Sequence, residues 1–258
     1  MVVTSQDSKG GITVPSNNQG FPAYEPVQVP WGNQNMSQAV SFPTILEQKN
    51  GMENGIMSFV GMVICRDGIC AFGDSKPSLS TELGSCELDR NRGFIDKVFA
   101  NQSYVIAVYG INQYFDKDGR RYNIEDWLKE NVPATESYVE LLFNFSTLIS
   151  KIQMNNDLSY CFLIGSKYQQ EYFVQYANVS GGSVHFQHRM VGRRLYTGGT
   201  DYYVNRVNMI HLKLYHYDAI NEAAEVLKRD VKALIKEADK LGVYNPVGGP
   251  IKIICWNK

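Results

Sequence analysis

The feature that most restricts the fold of this chain is a pair of short apolar segments joined by a turn. Residues 58–65 (Ser-Phe-Val-Gly-Met-Val-Ile-Cys) are almost continuously apolar, and residues 69–73 are apolar again. Between them, Arg66-Asp67-Gly68 is typical of a tight hairpin turn. Strands without alternating polar residues belong in sheets that are covered on both faces. A single sheet with one face in water is therefore disfavoured.

The chain after residue 57 predicts an alternation of strand pairs and helices. Further strands are predicted at residues 94–100, 103–109, 159–165, 171–179, 183–191 and 250–256. Helices are predicted at residues 124–131, 137–154, 200–212 and 218–241, the last with Asp218 as its N-cap and Gly242 just after its end. Antiparallel hairpins covered by pairs of helices predict an α+β fold, a four-layer αββα sandwich of two antiparallel sheets flanked by helices.

Composition excludes several classes of protein. The 258 residues carry 25 Lys and Arg against 26 Asp and Glu, a net charge of −1, so no global basic field attracts nucleic acid or an anionic membrane. No apolar run approaches the ~18–20 residues that cross a bilayer, and no signal-peptide segment opens the sequence. The five cysteines include no Cys-x-x-Cys pair, which indicates reduced thiols. We expect a cytoplasmic protein with no nucleic-acid partner and no membrane partner.

The first 57 residues differ in composition from the rest. They hold five of the nine prolines and many Ser, Asn, Gln and Gly. A stretch such as residues 10–20 cannot offset its ordering entropy by burial. We predict a flexible leader or pro-segment over residues 1–57, with a mobile tail as the alternative interpretation, and a folded domain over residues 58–258.

Residues 58–76 resemble the opening of proteasome-type β subunits, a family of N-terminal nucleophile (Ntn) hydrolases. In that family an Asp lies sixteen residues after the nucleophile, and counting back sixteen from Asp74 gives Ser58. The family's next elements are a Lys, an apolar strand and an Ala-Gly turn, which resemble Lys97, the following apolar strand and Tyr109-Gly110. Residues 196–201 resemble its Gly-Ser-Gly-Ser element, and a Gly-Gly pair precedes the last strand. The resemblance covers roughly residues 57–256.

The resemblance implies the proteasome-like αββα fold and a threonine/serine-type peptidase made as a zymogen. After leader removal Ser58 would be the nucleophile, Lys97 its electrostatic activator and Asp74 the group that orients Lys97. The α-amine of Ser58, whose ordinary pKa is roughly 7.7–8.0, would take the proton that makes a serine hydroxyl nucleophilic.

The resemblance also implies how the substrate is held. The Gly110 backbone N–H would donate to the oxyanion, and Gly198, Gly199 and Thr200 would bind the substrate. The substrate would be a peptide or unfolded protein, and the subunits would form a homo-oligomeric ring.

Three positions depart from the family pattern and support an alternative function. Met57 stands where the family usually has Gly, while Tyr244 and Val247 replace an Asp and a Ser near the nucleophile. These departures favour a non-catalytic proteasome-fold scaffold or binding subunit that retains its leader. A small-molecule amidase on the same scaffold is a third interpretation.

We expect no cofactor and no metal. The four histidines form no metal-binding signature, and the Gly-Gly pairs lack the spacing of a nucleotide-binding loop.

Overall fold

Two antiparallel sheets form the centre of the protein in a computed structural model. The structure describes residues 58–80, 86–152, 158–180, 182–199, 203, 204, 206, 219–240 and 245–258. All of them belong to one compact unit, Asn50–Lys258. The predicted leader over residues 1–57 and most of the predicted helix at 200–212 lie outside the described residues, so both stay predictions.

The first sheet has four strands in the spatial order β12-β1-β2-β13. Its strands are β1 (Phe59–Ile64), β2 (Ile69–Gly73), β12 (Leu195–Gly199) and β13 (Lys252–Trp256). β1 and β2 form the predicted hairpin, which the Cys65 N–H closes by donating to the Gly68 carbonyl at 2.9 Å.

The second sheet has five strands in the order β11-β10-β9-β6-β5. They are β5 (Val98–Ala100), β6 (Tyr104–Gly110), β9 (Ser159–Tyr168), β10 (Glu171–Ser180) and β11 (Ser183–Phe186). Two small hairpins stand apart, β3 (Ser78–Ser80) with β4 (Cys86–Leu88) and β7 (Gln113–Phe115) with β8 (Arg121–Asn123). The longer described helices are α1 (Ile124–Asn131), α2 (Tyr138–Ile152) and α3 (Ile220–Asp239), and residues 203, 204 and 206 are helical as well.

Buried side chains fill three layers of core and fix the order of the elements. Met62 of β1 and Leu163 of β9 lie in the layer between the two sheets. Phe145 of α2 packs on the outer face of the second sheet, and Leu227 of α3 packs with Phe72 on the outer face of the first. The order helix, sheet, sheet, helix confirms the predicted αββα sandwich. It also explains the sequence of β1, since both faces of that strand are buried.

Two predicted strands lose about half of their expected length or more. The strand predicted at 94–100 begins only at Val98, because the Ile95 N–H donates to the Ser75 carbonyl at 2.9 Å and directs this segment toward the turn after β2. The strand predicted at 183–191 ends at Phe186, although Met190 still forms an isolated bridge with Val174.

The predicted N-cap of the last helix is wrong. Ala219 occupies the N-cap position of α3 and offers no capping side chain. The Ile220 N–H instead donates to Asp67 Oδ1, at 2.9 Å, in the hairpin turn between β1 and β2. A residue distant in sequence therefore caps α3. Asp218 and Gly242 lie outside the described residues.

Candidate active site

A buried carboxylate at the end of β2 is the centre of the candidate site. Asp74 is fully buried. Its Oδ1 accepts from the Phe59 N–H at 2.9 Å, and its Oδ2 accepts from the Gly248 N–H at 3.2 Å and the Lys76 N–H at 3.3 Å. Three main-chain donors from three segments therefore fix this carboxylate, and one of them belongs to the residue directly after Ser58.

Lys97 is the cation that pairs with Asp74. Its Nζ lies 2.9 Å from Oδ1 and 3.0 Å from Oδ2, and the lysine is only 1% exposed. Asp74 follows β2 in the first sheet, whereas Lys97 directly precedes β5 in the second. The ion pair therefore joins the two sheets. A charge-assisted hydrogen bond of this length in the interior is strong only when both ions have further partners, as Asp74 does.

Ser58 directly precedes β1, one residue before the amide that binds Asp74. The residue is 1% exposed, and its Oγ has no hydrogen-bond partner among the residues described. Most buried side-chain polar atoms are hydrogen-bonded, so this hydroxyl is an exception. The structure brings Asp74 and Lys97 into contact, and the Phe59 N–H attaches the residue directly after Ser58 to Asp74.

The predicted substrate-binding glycines lie next to Ser58. Gly199 pairs with Phe59 in the sheet, and Gly198 pairs with Val60. A Cβ at Gly199 would lie 2.2 Å from the Ser58 carbonyl oxygen, so only glycine permits this approach. Thr200 lies outside the described residues.

Gly110 ends β6 in the other sheet and has a backbone that favours glycine. Its φ is +82°, and a Cβ there would meet no atom within 4 Å. The ring of its neighbour Tyr109 fills the space at Gly198, where a Cβ would be 2.6 Å from the ring. The residue directly before Gly110 therefore contacts β12, the strand next to Ser58.

A tyrosine of the second sheet helps to hold β12 in place. The Tyr176 hydroxyl donates to the Thr197 carbonyl at 2.9 Å, directly before Gly198. Burial raises the pKa of Tyr176 to about 12, an effect that exceeds the opposing influence of this hydrogen bond. The group remains a neutral phenol near neutral pH and keeps its donor.

The main chain at Gly248 takes part in the site, although no side-chain signal in the sequence points to it. The Gly248 carbonyl accepts from the Ser75 and Lys76 N–H groups at 3.0 Å, while its own N–H binds Asp74. Val247 is fully buried in the core beneath α3, so it offers no polar group to the site. Tyr244 and Met57 lie outside the described residues.

Metal chemistry has no support among the described residues. No group of three or more His, Cys, Asp or Glu side chains in that part of the chain is arranged to hold a metal ion. No described helix is both long enough and apolar enough to span a membrane.

Two solved structures illustrate what this chain is similar to. Anbu (ancestral beta-subunit) from Yersinia bercovieri is 12% identical with a TM-score of 0.44, covering 77% of this chain and 81% of that one. An Anbu (Gly-1) mutant from Hyphomicrobium sp. strain MC1 is 10% identical with a TM-score of 0.43, covering 78% and 81%. No protein-family model matches the chain, and no curated protein matches it. Similarity of this degree assigns no family and no function, and the fold assignment rests on the order of the layers described above.

Proposed function

We propose that this chain is a proteasome-like Ntn hydrolase subunit that cleaves peptide bonds through Ser58 after removal of residues 1–57. The observation that supports this function most is the buried Asp74–Lys97 pair, with Nζ 2.9 and 3.0 Å from the two carboxylate oxygens. Asp74 also binds the amide that follows Ser58, at 2.9 Å. One carboxylate thus connects the nucleophile's main chain to a cation.

Each group has a defined part in the proposed reaction. Leader cleavage frees the Ser58 α-amine, which takes the proton of the Ser58 hydroxyl as Oγ attacks the scissile carbonyl carbon. The Lys97 ammonium stabilises negative charge as it develops on Oγ, and Asp74 holds Lys97 in position. The Gly110 N–H donates to the oxyanion. The leaving amine takes the proton from the α-amine, and water then hydrolyses the acyl-enzyme.

Ser58 is buried in the uncleaved chain, which affects access of a substrate to its hydroxyl. At 1% exposure the hydroxyl is not accessible to a substrate, so activity requires a rearrangement at the residue's N-terminal side. Removal of the leader provides that change, because it makes Ser58 the terminal residue. The uncleaved chain is accordingly the inactive form.

The test is intact-mass measurement and N-terminal sequencing of the purified chain, before and after an electrophile that traps N-terminal hydroxyl nucleophiles. We expect loss of residues 1–57 and one adduct on Ser58. Ser58→Ala removes the adduct and peptide hydrolysis without loss of stability, because the Ser58 hydroxyl has no described hydrogen-bond partner. Ser146→Ala, which truncates another buried serine, on α2, is the matched control and keeps both the adduct and peptide hydrolysis. A chain that keeps its leader and gains no adduct contradicts the proposal.

A non-catalytic scaffold subunit is the second candidate function. Two observations favour it: the buried Ser58 hydroxyl and the apolar Val247 in the segment that contacts Asp74. A scaffold keeps residues 1–57, ignores the electrophile and assembles equally well with Ser58→Ala. Light scattering of the wild-type and Ser58→Ala proteins measures the assembly, which we propose to be a homo-oligomeric ring in either case.

A further inference from the structure

A second buried carboxyl group lies next to the segment that follows Gly110. Glu125, in the first turn of α1, is 2% exposed, and so is Asn112. The Asn112 Nδ2 donates to Glu125 Oε1 at 2.9 Å, and the Asn112 carbonyl accepts from the Ile124 N–H at 2.9 Å. The start of α1 is therefore attached to a residue only two positions after Gly110.

Two buried oxygens of this pair lack a hydrogen-bond partner within the part of the chain that the structure describes. Glu125 Oε2 and Asn112 Oδ1 are both buried, and neither has a hydrogen-bond partner among the described residues. A carboxylate and an amide oxygen can only accept, so two unpaired acceptors would remain buried, which is unfavourable. A proton on Oε2 would turn one of the two acceptors into a donor for the other, while Asn112 Nδ2 continues to donate to Oε1.

Among the described residues, the cations near Glu125 are already paired with other carboxylates. They belong to Lys97 and Arg92. Lys97 already pairs with Asp74, and Arg92 Nη2 lies 2.7 and 2.9 Å from the two carboxylate oxygens of Asp126. Burial raises the pKa of Glu125, an effect larger than the opposing influence of Asn112, the Glu125 backbone N–H and the two cations.

We propose that Glu125 is a protonated carboxylic acid at neutral pH, joined to Asn112 by two reciprocal hydrogen bonds, and that it is a positioning residue for the main chain at Gly110. As a neutral group it also adds no second negative charge beside the Asp74–Lys97 pair. Ionisation breaks the bond to Asn112 Oδ1 and adds that charge. The consequence for catalysis rests on the proposed function, whereas the protonation of Glu125 does not.

The direct test is an NMR titration of the full chain with ¹³C-labelled glutamate side chains, each assigned through bonds to its backbone amide. We expect Glu125 to remain a carboxylic acid at neutral pH, well above the usual Glu pKa of roughly 4.3, and the Gly110 amide signal to move with the same inflection. A Glu125 carboxyl group that ionises below neutral pH overturns the proposal. So does a shift of the Glu125 signal on addition of CaCl₂ or MgCl₂, since it would mean that the two oxygens hold a cation.

A matched pair of variants tests the same claim through stability. Glu125→Gln preserves both hydrogen bonds, because its amide N–H₂ donates to Asn112 Oδ1, and it cannot ionise. Glu130→Gln changes an exposed glutamate of the same helix and is the control. The folded-state pKa of Glu125 is raised, so its stabilising effect is complete below the unfolded pKa and is lost as the pH rises through the folded pKa.

The wild-type folding constant therefore falls by up to tenfold per pH unit, relative to Glu125→Gln, from roughly pH 4.3 to the folded pKa. Urea unfolding of both proteins across this pH range measures the ratio of their folding constants. A ratio that stays constant, or a Glu130→Gln control that behaves like Glu125→Gln, contradicts the proposal. Where Ser58 hydrolyses peptides, kcat of the wild type also falls above the Glu125 inflection and that of Glu125→Gln does not. If the protein hydrolyses no peptide, only the proposed function is contradicted. The NMR and unfolding results still decide whether Glu125 is protonated.

Discussion

Asp74 shows how individual residues make a buried charge tolerable. Removing a carboxylate from water costs several kcal/mol, and the cost is offset only where a counter-ion and hydrogen bonds replace the lost solvation. Lys97 supplies the counter-ion, and the Phe59, Lys76 and Gly248 N–H groups supply the hydrogen bonds. Since the lysine is also buried, neither ion has water as a substitute partner.

Lys97→Met tests the energetic importance of this pair. We expect it to lower the free energy of unfolding by about 3–5 kcal/mol, because it leaves the Asp74 charge buried without a cation. Lys252→Met is the control, since it breaks the partly exposed Lys252–Asp96 pair and costs at most about 1 kcal/mol. Urea unfolding of both variants measures the difference. Equal losses would show that the buried pair contributes no more than a surface one.

The sequence could indicate some of these residues and not others. A resemblance to a family motif indicated Asp74 and Lys97, and the structure brings the two side chains together; their catalytic roles stay predictions. The Gly248 N–H could not be predicted, because every residue except proline has such a donor. Glu125 escapes sequence reasoning because an acidic residue in the first turn of a helix usually faces water. Only the tertiary structure shows that it is buried.

At the scale of elements, the predicted bounds agree best with the observed ones for strands that are buried on both faces and for helices with a clear apolar periodicity. The strand at 69–73 and the helix at 124–131 have the predicted bounds, and the helix predicted at 218–241 forms over Ile220–Asp239. Four three-residue strands, in the hairpins β3–β4 and β7–β8, were not predicted, since such segments are too short to show a period. The other differences between predicted and observed element ends come from contacts between distant segments, as the cap of α3 illustrates.

Asp67→Ala tests that cap. The Asp67 carboxylate accepts from the Ile220 N–H at 2.9 Å, and α3 has no capping side chain of its own, so the variant should lose about 0.5–2 kcal/mol of unfolding free energy. Hydrogen exchange should accelerate in the first turn of α3. Arg66→Ala, in the same exposed turn, should change neither quantity. If both variants behave alike, the cap has no energetic role.

At the scale of the whole molecule, the candidate site exists only while the two sheets stay stacked. Gly199 belongs to the first sheet, whose strands β1 and β2 are directly flanked by Ser58 and Asp74. Gly110 belongs to the second sheet, and Lys97 directly precedes its strand β5. The core between the sheets therefore sets the separation of the groups in the site. This dependence makes the geometry of the Asp74–Lys97 pair a measure of sheet packing.

Gly165 lies at a point of close approach between the two sheets. A substitution there tests whether the packing between the sheets sets the geometry of the site. A Cβ on this residue of β9 would lie 2.9 Å from Ile69 Cδ1 and 3.1 Å from Met62 Sδ, both in the other sheet, and 2.8 Å from Val105 Cγ1. Gly165→Ala should force the sheets apart and lower the free energy of unfolding by about 1–3 kcal/mol. It should also shift the amide NMR signal of Phe59, whose N–H donates to Asp74. Gly93→Ala, where a Cβ would meet nothing within 4 Å, is the control and should leave that signal unchanged. A destabilised Gly165→Ala protein with an unshifted Phe59 amide would show that the site keeps its geometry independently of the packing between the sheets.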